Sequence, residues 1–359
     1  MKSRLFVVDK DSIKTTLENM EVSVIVPEPN GKLWKKTLLD IVSDLMQVEL
    51  GDYIFLWESG YERIYGVYRA ISKPFYSYEE GRNDIFRIKI DIAYSFEKPI
   101  MEYDVINNPY MKNKLWNIIG KKVAGKSRGT SPITPEEMQF LIQSLIDVNK
   151  SYSYSKDYSV VSVDNELKFD FEAIENSEIP SRISEYAYAP IQFKNNKEVQ
   201  YEKALEGVLN YLFREKQTEI ISELDIECEN VIWYANYLPY GLERSEIDYM
   251  IMESVDGTNI NQIDVIELMS GVIDDDHIRR CLQYSKWVSE SITNAKNIVR
   301  PILICGSKSK TSKNGFNNEN IKQSLSERPK EYGFDNIEIY TYSLENIINF
   351  NKHEEDTNE

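Results

Sequence analysis

Two acidic residues stand where a sheet-forming chain has no structural use for charge. Asp248 lies inside EIDYMIM, and Glu267 closes the apolar run DVIEL that follows a polar stretch. Side chains alternate between faces along a strand, so Ile247, Tyr249 and Ile251 share one face and Asp248, Met250 and Met252 the other. An ionised carboxylate on an otherwise apolar face is costly unless a cation or hydrogen bonds compensate it. One reading is a strand-end Asp bonded to a neighbouring backbone amide. The other is a pair of carboxylates gathered around a divalent cation, whose preference for hard oxygen donors points to Mg²⁺ or Mn²⁺.

The elements that must position this pair follow from periodicity. EVQYEKALEGVLNYLFREK carries Tyr201, Leu205, Val208, Leu209 and Leu212 on one helical stripe. After it the pattern predicts strands at about 231–237, 246–252 and 262–268, a helix at 277–296, the strand PILIC at 301–305 and a last strand IEIYTY at 337–342. The order α-β-β-β-α-β implies a mixed sheet with a helix on each face.

With Glu202 in the helix, Asp248 in a strand and Glu267 at the end of the next, followed by LQYSKWV and RPILIC, this part resembles the PD-(D/E)XK nuclease superfamily. The resemblance implies a restriction-endonuclease-like domain. Asp248 and Glu267 would bind Mg²⁺, Glu202 would help to hold it, and the metal would activate a water against a phosphodiester. Glu206 competes with Glu202, being one turn away on nearly the same face; the family's Glu followed three residues later by Leu favours Glu202 with Leu205. Arg280 stands where the family often has Gln, Tyr284 where it has Tyr, and Trp287 is either a core ring or a nucleic-acid contact. The departure is Met269, which occupies the place of the motif lysine. Either a lysine from elsewhere enters the site, Lys286 being the first candidate, or the domain binds without cutting.

The first part alternates like β structure in RLFVVD, VSVIVP, GDYIFLW, RIYGVYRA and IFRIKIDIAY, with helical spacing in KLWKKTLLDIVSDLM and a Ser/Thr-Pro-Glu-Glu helix start in SPITPEEMQFLIQSLIDVN. A small barrel or curled sheet with flanking helices is expected. VELGDYIFLWESGYERIYGVYRAISKPFY, with Gly51-Asp52 and Gly66-Val67, resembles the PUA-like group that includes EVE and YTH domains. That resemblance implies a reader of a modified base flipped into an aromatic pocket, where stacking returns part of the cost of unstacking. Trp34, Trp57, Tyr65 and Phe75 could supply the rings, or could fill a small β core. Residues 63–128 hold 13 Lys+Arg against 7 Asp+Glu, and Lys121, Lys122, Lys126 and Arg128 in GKKVAGKSRGTS could follow a phosphate backbone or be solvated surface. Lys308, Lys310 and Lys313 in GSKSKTSK invite the same two readings.

Composition bounds these readings. A net charge of −17 argues against nucleic acid, yet residues 1–150 carry 21 basic and 21 acidic side chains, and the excess acid falls in residues 151–359. Three scattered cysteines support neither disulfides nor a thiolate zinc site. No apolar run reaches the length of a membrane span, so a cytoplasmic protein without a membrane partner is expected. The expected organisation is α/β (α+β): a base-reading domain at 1–150, a linker at 151–199, a nuclease-like domain at 200–350 and a disordered tail at 351–359. The expected function is a modification-dependent DNA endonuclease of the restriction or phage-defence kind, a homodimer if both strands are cut. The alternatives are a nucleic-acid-binding or interaction protein that keeps a nuclease fold as scaffold, and an RNA-directed reader.

Overall fold

The computed structural model describes residues 2–24, 41, 43–76, 86–94, 96, 98–109, 129–149, 161–163, 166–168, 193–194, 198–199, 202–240, 245–293, 296–306, 316, 318–344 and 348–353. The chain divides into two compact units. Described residues up to 168 belong to the first, except Ile41 and Ser43, which group with the described residues from 193 onward in the second. The division falls inside 151–199.

The first unit contains β1 (Ser3–Asp9), α1 (Ile13–Asn19), β2 (Glu21–Val24), β3 (Tyr53–Ser59), β4 (Arg63–Ala70), β5 (Phe75–Tyr76), β6 (Phe86–Ile92), β7 (Ile100–Met101), α2 (Glu102–Asn107), β8 (Thr130–Ile133) and α3 (Pro135–Val148), then the short ribbon β9 (Val161–Val163) and β10 (Glu166–Lys168). Its main sheet runs β2-β6-β4-β3-β1-β8, with β5 on β6 and β7 on β4; β1 and β3 are parallel and the remaining pairs antiparallel, giving a curled mixed sheet. The helix start read from the sequence is a capping box. Thr134 Oγ1 accepts from the Glu137 amide at 3.2 Å, and Glu137 Oε2 accepts from the Thr134 amide at 2.7 Å. The helix α3 then lays Leu141, Ile142 and Leu145 on Leu5, Tyr53, Phe55 and Ile64.

Both glycine pairs of the first unit have mechanical reasons. Gly51 sits at φ +88°, a left-handed conformation that favours glycine. The following Asp52 carboxylate accepts from the amides of Lys2 (3.1 Å) and Glu49 (2.9 Å), tying the turn to the start of β1. At Gly66 a Cβ would stand 2.9 Å from Phe55 Cδ1, so β4 approaches its neighbours only without a side chain there.

The second unit contains β11 (Phe193–Lys194), β12 (Glu198–Val199), α4 (Glu202–Arg214), α5 (Thr218–Ser222), β13 (Val231–Pro239), β14 (Glu246–Glu253), β15 (Gln262–Leu268), α6 (Asp275–Val288), β16 (Val299–Gly306), α7 (Glu319–Tyr332), β17 (Glu338–Leu344) and β18 (Ile348–Lys352). Its six-stranded sheet runs β13-β14-β15-β16-β17-β18, parallel only at β15/β16 and β16/β17. The stripe read from the sequence packs on one face: Leu205, Val208, Leu209 and Leu212 of α4 meet Tyr249, Ile251, Ile266, Leu268, Ile302 and Ile304. Each such fully buried side chain contributes roughly 1.5–3 kcal/mol relative to exposure. On β15 and β16, α6 seats Cys281, whose thiol donates to Ile302 O at 3.3 Å. The helix α7 packs on α6 through Arg328 Nη2 and Ser324 Oγ, each 2.6 Å from the Asp275 carboxylate.

Several elements depart from the sequence reading. The helix α7 has only Ile321, Leu325 and Pro329 buried, and a proline inside it, so its amphipathic signal is thin. The five-residue α5 is too short to show a period. Asn351 and Lys352, expected in the tail, lie in β18, where Lys352 Nζ reaches Asp225 at 2.6 Å and Glu338 at 3.1 Å. In addition, α6 ends at Val288 rather than 296 and continues as a wider turn through Ser289–Thr293. No described helix is long and apolar enough to cross a membrane.

Candidate functional site

The strands β14 and β15 pair Tyr249 with Ile266, and the same register carried one residue further sets Asp248 opposite Glu267. Because Tyr249, Ile251, Ile266 and Leu268 all enter the core beneath α4, alternation turns Asp248 and Glu267 the other way. The chain leaving β15 is held by Met269 N–H donating to Ile304 O (2.8 Å) and Tyr342 OH donating to Ser270 O (3.1 Å). Met269 itself is buried. Facing this end, α6 begins at the N-cap Asp274, whose carboxylate accepts from the His277 amide at 3.0 Å and so sets the start of the helix.

Both carboxylates are raised chiefly by burial, and Asp248 further opposes the ionisation of Glu267. Burial pushes Asp248 up to about 7, and the nearby Glu206 charge adds to the push, while the Leu268 amide and Lys203 pull down. That amide donates to Asp248 Oδ2 at 2.9 Å, the interaction expected of a structural Asp, though alone it does not offset the burial. Glu267, 1% exposed, is raised well above the usual range by burial and then by Asp248, with Arg280 acting against both. An Arg280 guanidinium nitrogen lies 2.5 Å from Glu267 Oε1, yet neither Glu267 oxygen accepts a hydrogen bond. Tyr284, one turn beyond Arg280, is also raised, chiefly by burial and then by Glu267, and its ring packs on Tyr240 at 4.8 Å. Trp287 meets the edge of the same Tyr240 ring.

Behind the pair, α4 supplies a second charged group. Glu206, also 1% exposed, accepts from Lys203 Nζ and Asn236 Nδ2, both at 2.7 Å. The Lys203 ammonium rests 3.0 Å from the centre of the Tyr237 ring. Asn236 and Asn210 both donate to Ser43 Oγ, at 3.1 and 3.0 Å, and close a buried polar chain under the site. Glu202, at the first turn of α4, is exposed, and its charge bears on Asp248, Glu267 and Arg280.

The structure thus draws Asp248, Glu267 and Glu202 into one electrostatic neighbourhood and adds Glu206, Lys203 and Arg280. Lys286 is elsewhere. Six residues after Arg280 it lies ~240° further round the helix, on the flank of α6 opposite Arg280, and it pairs with no carboxylate among the described residues. Sequence reasoning had two signals for the cations it missed: Arg280 at a motif position, and Lys203 between two acidic candidates.

Oxygen donors are the right kind for Mg²⁺ or Mn²⁺, but their arrangement here does not fit an ion. Among the described residues no three carboxylate, imidazole or thiol side chains gather closely enough to hold one. Glu267 faces Arg280 and Glu206 faces Lys203, so the chain's own cations meet these charges.

In the first unit, Phe75 is buried at 7% exposure, a core ring of the sheet rather than a stacking platform. Trp57 is half-buried on β3, beside Ile64 of β4, and packs against the core under α3. Tyr65 donates its hydroxyl to Glu58 Oε2 at 2.9 Å, and Arg63 lies 3.8 Å from the same oxygen. Trp34, Lys121, Lys122, Lys126 and Arg128 lie outside the described residues, as do Lys308, Lys310 and Lys313.

No protein-family model and no curated protein matches the chain. Similar solved structures include a hypothetical protein from Leishmania major (6% identity, TM-score 0.31, covering 41% of this chain and 96% of that one). The YTH domain of Zygosaccharomyces rouxii MRB1 protein in complex with N6-methyladenosine RNA is 16% identical with TM-score 0.26, covering 40% of this chain and 86% of that one. Human THYN1 in complex with 5-methylcytosine-containing DNA is 12% identical with TM-score 0.26, covering 40% and 98%. Scores of this size carry no argument about the fold or function of this chain.

Proposed function

We propose that the chain is a modification-dependent DNA endonuclease in which the first unit, PUA-like in this reading, receives a modified base and the second, restriction-endonuclease-like, hydrolyses a phosphodiester. The observation that carries the enzymatic half is the Asp248–Glu267 pair: a part-buried and a fully buried carboxylate on neighbouring strands, both raised chiefly by burial, with Asp248 raising Glu267 further. Carboxylates held at a cost to stability cluster at functional sites. Arg280, whose side chain is 40% exposed, brings positive charge that a phosphate requires, in place of the lysine absent at 269. In the first unit, the Gly51-Asp52 turn and the close approach at Gly66 give the sequence resemblance a mechanical basis, and Trp57 and Tyr65 are its part-exposed rings. The divalent ion that the sequence resemblance assigns to Asp248, Glu267 and Glu202 does not fit the site as it is paired, Glu267 being met by Arg280.

The test is cutting of DNA that carries modified cytosine or adenine, with Mg²⁺ or Mn²⁺ supplied, and no cutting of unmodified DNA. Asp248→Ala is expected to abolish cutting and leave binding intact. Equal cutting by wild type and Asp248→Ala overturns the assignment. A second reading, a nucleic-acid binder on a nuclease-like scaffold, is favoured by Met269 and by the Glu267–Arg280 pair. It requires wild type to bind modified DNA tightly and to cut none of it.

A further inference from the structure

We infer that His277 is the general base of the site: oriented by Asp274, its ring takes the proton of the water that attacks the phosphodiester. This role rests on the nuclease reading above and fills the place that Met269, standing for the motif lysine, leaves empty.

Asp274 does more than cap α6. Its Oδ1 accepts from the His277 amide at 3.0 Å and lies 2.5 Å from His277 Nδ1. A carboxylate only accepts, so this bond places the ring proton on Nδ1 and leaves Nε2 with its lone pair. Among the described residues Nε2 has no hydrogen-bond partner, and the side chain is 17% exposed, fixed in orientation yet within reach of water. The neighbouring acids are committed elsewhere, Asp275 to Arg328 and Ser324 of α7 and Asp276 to Arg279. Asp274 is therefore the counter-charge of this ring.

Helical geometry puts the dyad at the carboxylates. The helix α6 connects β15 to β16, which lie parallel, so it runs back along them and its first turn stands at the end of β15 that carries Glu267. His277, Arg280 and Tyr284, three and seven residues apart, fall within about 60° of arc on one stripe of α6. Arg280 reaches Glu267, and the charges bearing on Glu267 at this strand end are Asp274 and Arg280 of α6, Asp248 of β14 and Glu202 of α4. His277 lies ~4.5 Å nearer the helix start than Arg280. A phosphate drawn to the exposed Arg280 guanidinium thus comes beside the Nε2 lone pair.

In the step, a water proton passes to Nε2 as the water oxygen bonds to phosphorus. The bond from phosphorus to one sugar oxygen breaks with its electron pair, that oxygen takes a proton from solvent, and the imidazolium later returns its own to solvent. Asp274 stays ionised and stabilises the cation.

The experiment pairs a rate with a tautomer. On modified DNA, with Mg²⁺ or Mn²⁺ supplied, His277→Ala is expected to cut about 10²-fold or more slowly than wild type, with DNA affinity unchanged, and added imidazole to restore part of the rate. Asp274→Asn, which still caps the helix, should slow cutting too. Nitrogen NMR of the labelled full chain at pH 8, where His353 is the only other histidine, should show the His277 ring protonated at Nδ1. Protonation at Nε2 overturns the inference, whether or not the protein cuts and whether or not the variants fold. A slow His277→Ala that imidazole does not revive traces the loss to structure and overturns it as well. Cutting that Asp248→Ala abolishes and His277→Ala leaves intact removes the base and keeps the nuclease reading, whereas no cutting by wild type removes both.

Discussion

Replacing Asp248 by Asn removes a charge while keeping a side-chain oxygen to accept from the Leu268 amide. In the wild-type chain the carboxyl is held at about 7 against an ordinary value of 3.8, because burial and Glu206 disfavour its ionised form. Between those values the folded protein keeps a proton that the unfolded chain has released. Stability from this group is therefore full below the unfolded value and is lost as pH rises through the folded one, at up to ~1.4 kcal/mol per pH unit. Asn carries no such dependence. Between pH 5 and pH 8 the variant should gain on wild type by ~2 kcal/mol. Urea unfolding at the two pH values measures this, with the fully buried Trp233 of β13 among the fluorescent reporters. A variant no more stable than wild type at pH 8 would show that the charge is already compensated, which removes the reason for calling the site functional. An equal gain at both pH values would trace it to packing instead. Paired with loss of cutting, the expected pattern is that of a group retained at a cost to stability.

Two further expectations test the surroundings. Lys203→Met should destabilise the second unit by roughly 3 kcal/mol or more, since it leaves Glu206 buried with Asn236 as its remaining donor; Lys203→Met with Glu206→Gln should recover most of the loss, and failure to recover in a denaturant series would show that Lys203 matters through packing alone. Gly66→Ala should cost the first unit about 1–3 kcal/mol, because its Cβ would meet the Phe55 ring at 2.9 Å, and a thermal midpoint equal to wild type would refute the close approach.

Legibility in the sequence followed the strength of each local signal. The helix α4 announces itself through four large apolar residues at helical spacing, and β14 and β15 through apolar runs of Ile, Tyr, Met and Val that Asp248 and Asp264 interrupt. Elements with few apolar residues, such as α7 with its internal Pro329, or with little length, such as α5, leave no period to read. The aromatic candidates show the limit from another side: Phe75 and Tyr65 have similar local contexts, and only their neighbours decide that one is buried and the other bonded to Glu58.

At the site, residue type and alternation determined that Asp248 and Glu267 would be carboxylates on strands, Asp248 on the face it shares with Met250 and Met252, and that no lysine would follow at 269. The partners of those charges were a tertiary matter. Asp248 and Glu267 become neighbours only because β14 and β15 pair in one register and not another, and Glu267 meets Arg280 only because the Asp274 cap starts α6 at the phase that turns residue 280 toward the strand ends. Lys286, as basic and nearly as close in the chain, is carried to the opposite flank by the same helical geometry. A sequence specifies which charges exist, but the strength of a charge interaction depends on separation and solvent exclusion, and these arise only when distant segments pack.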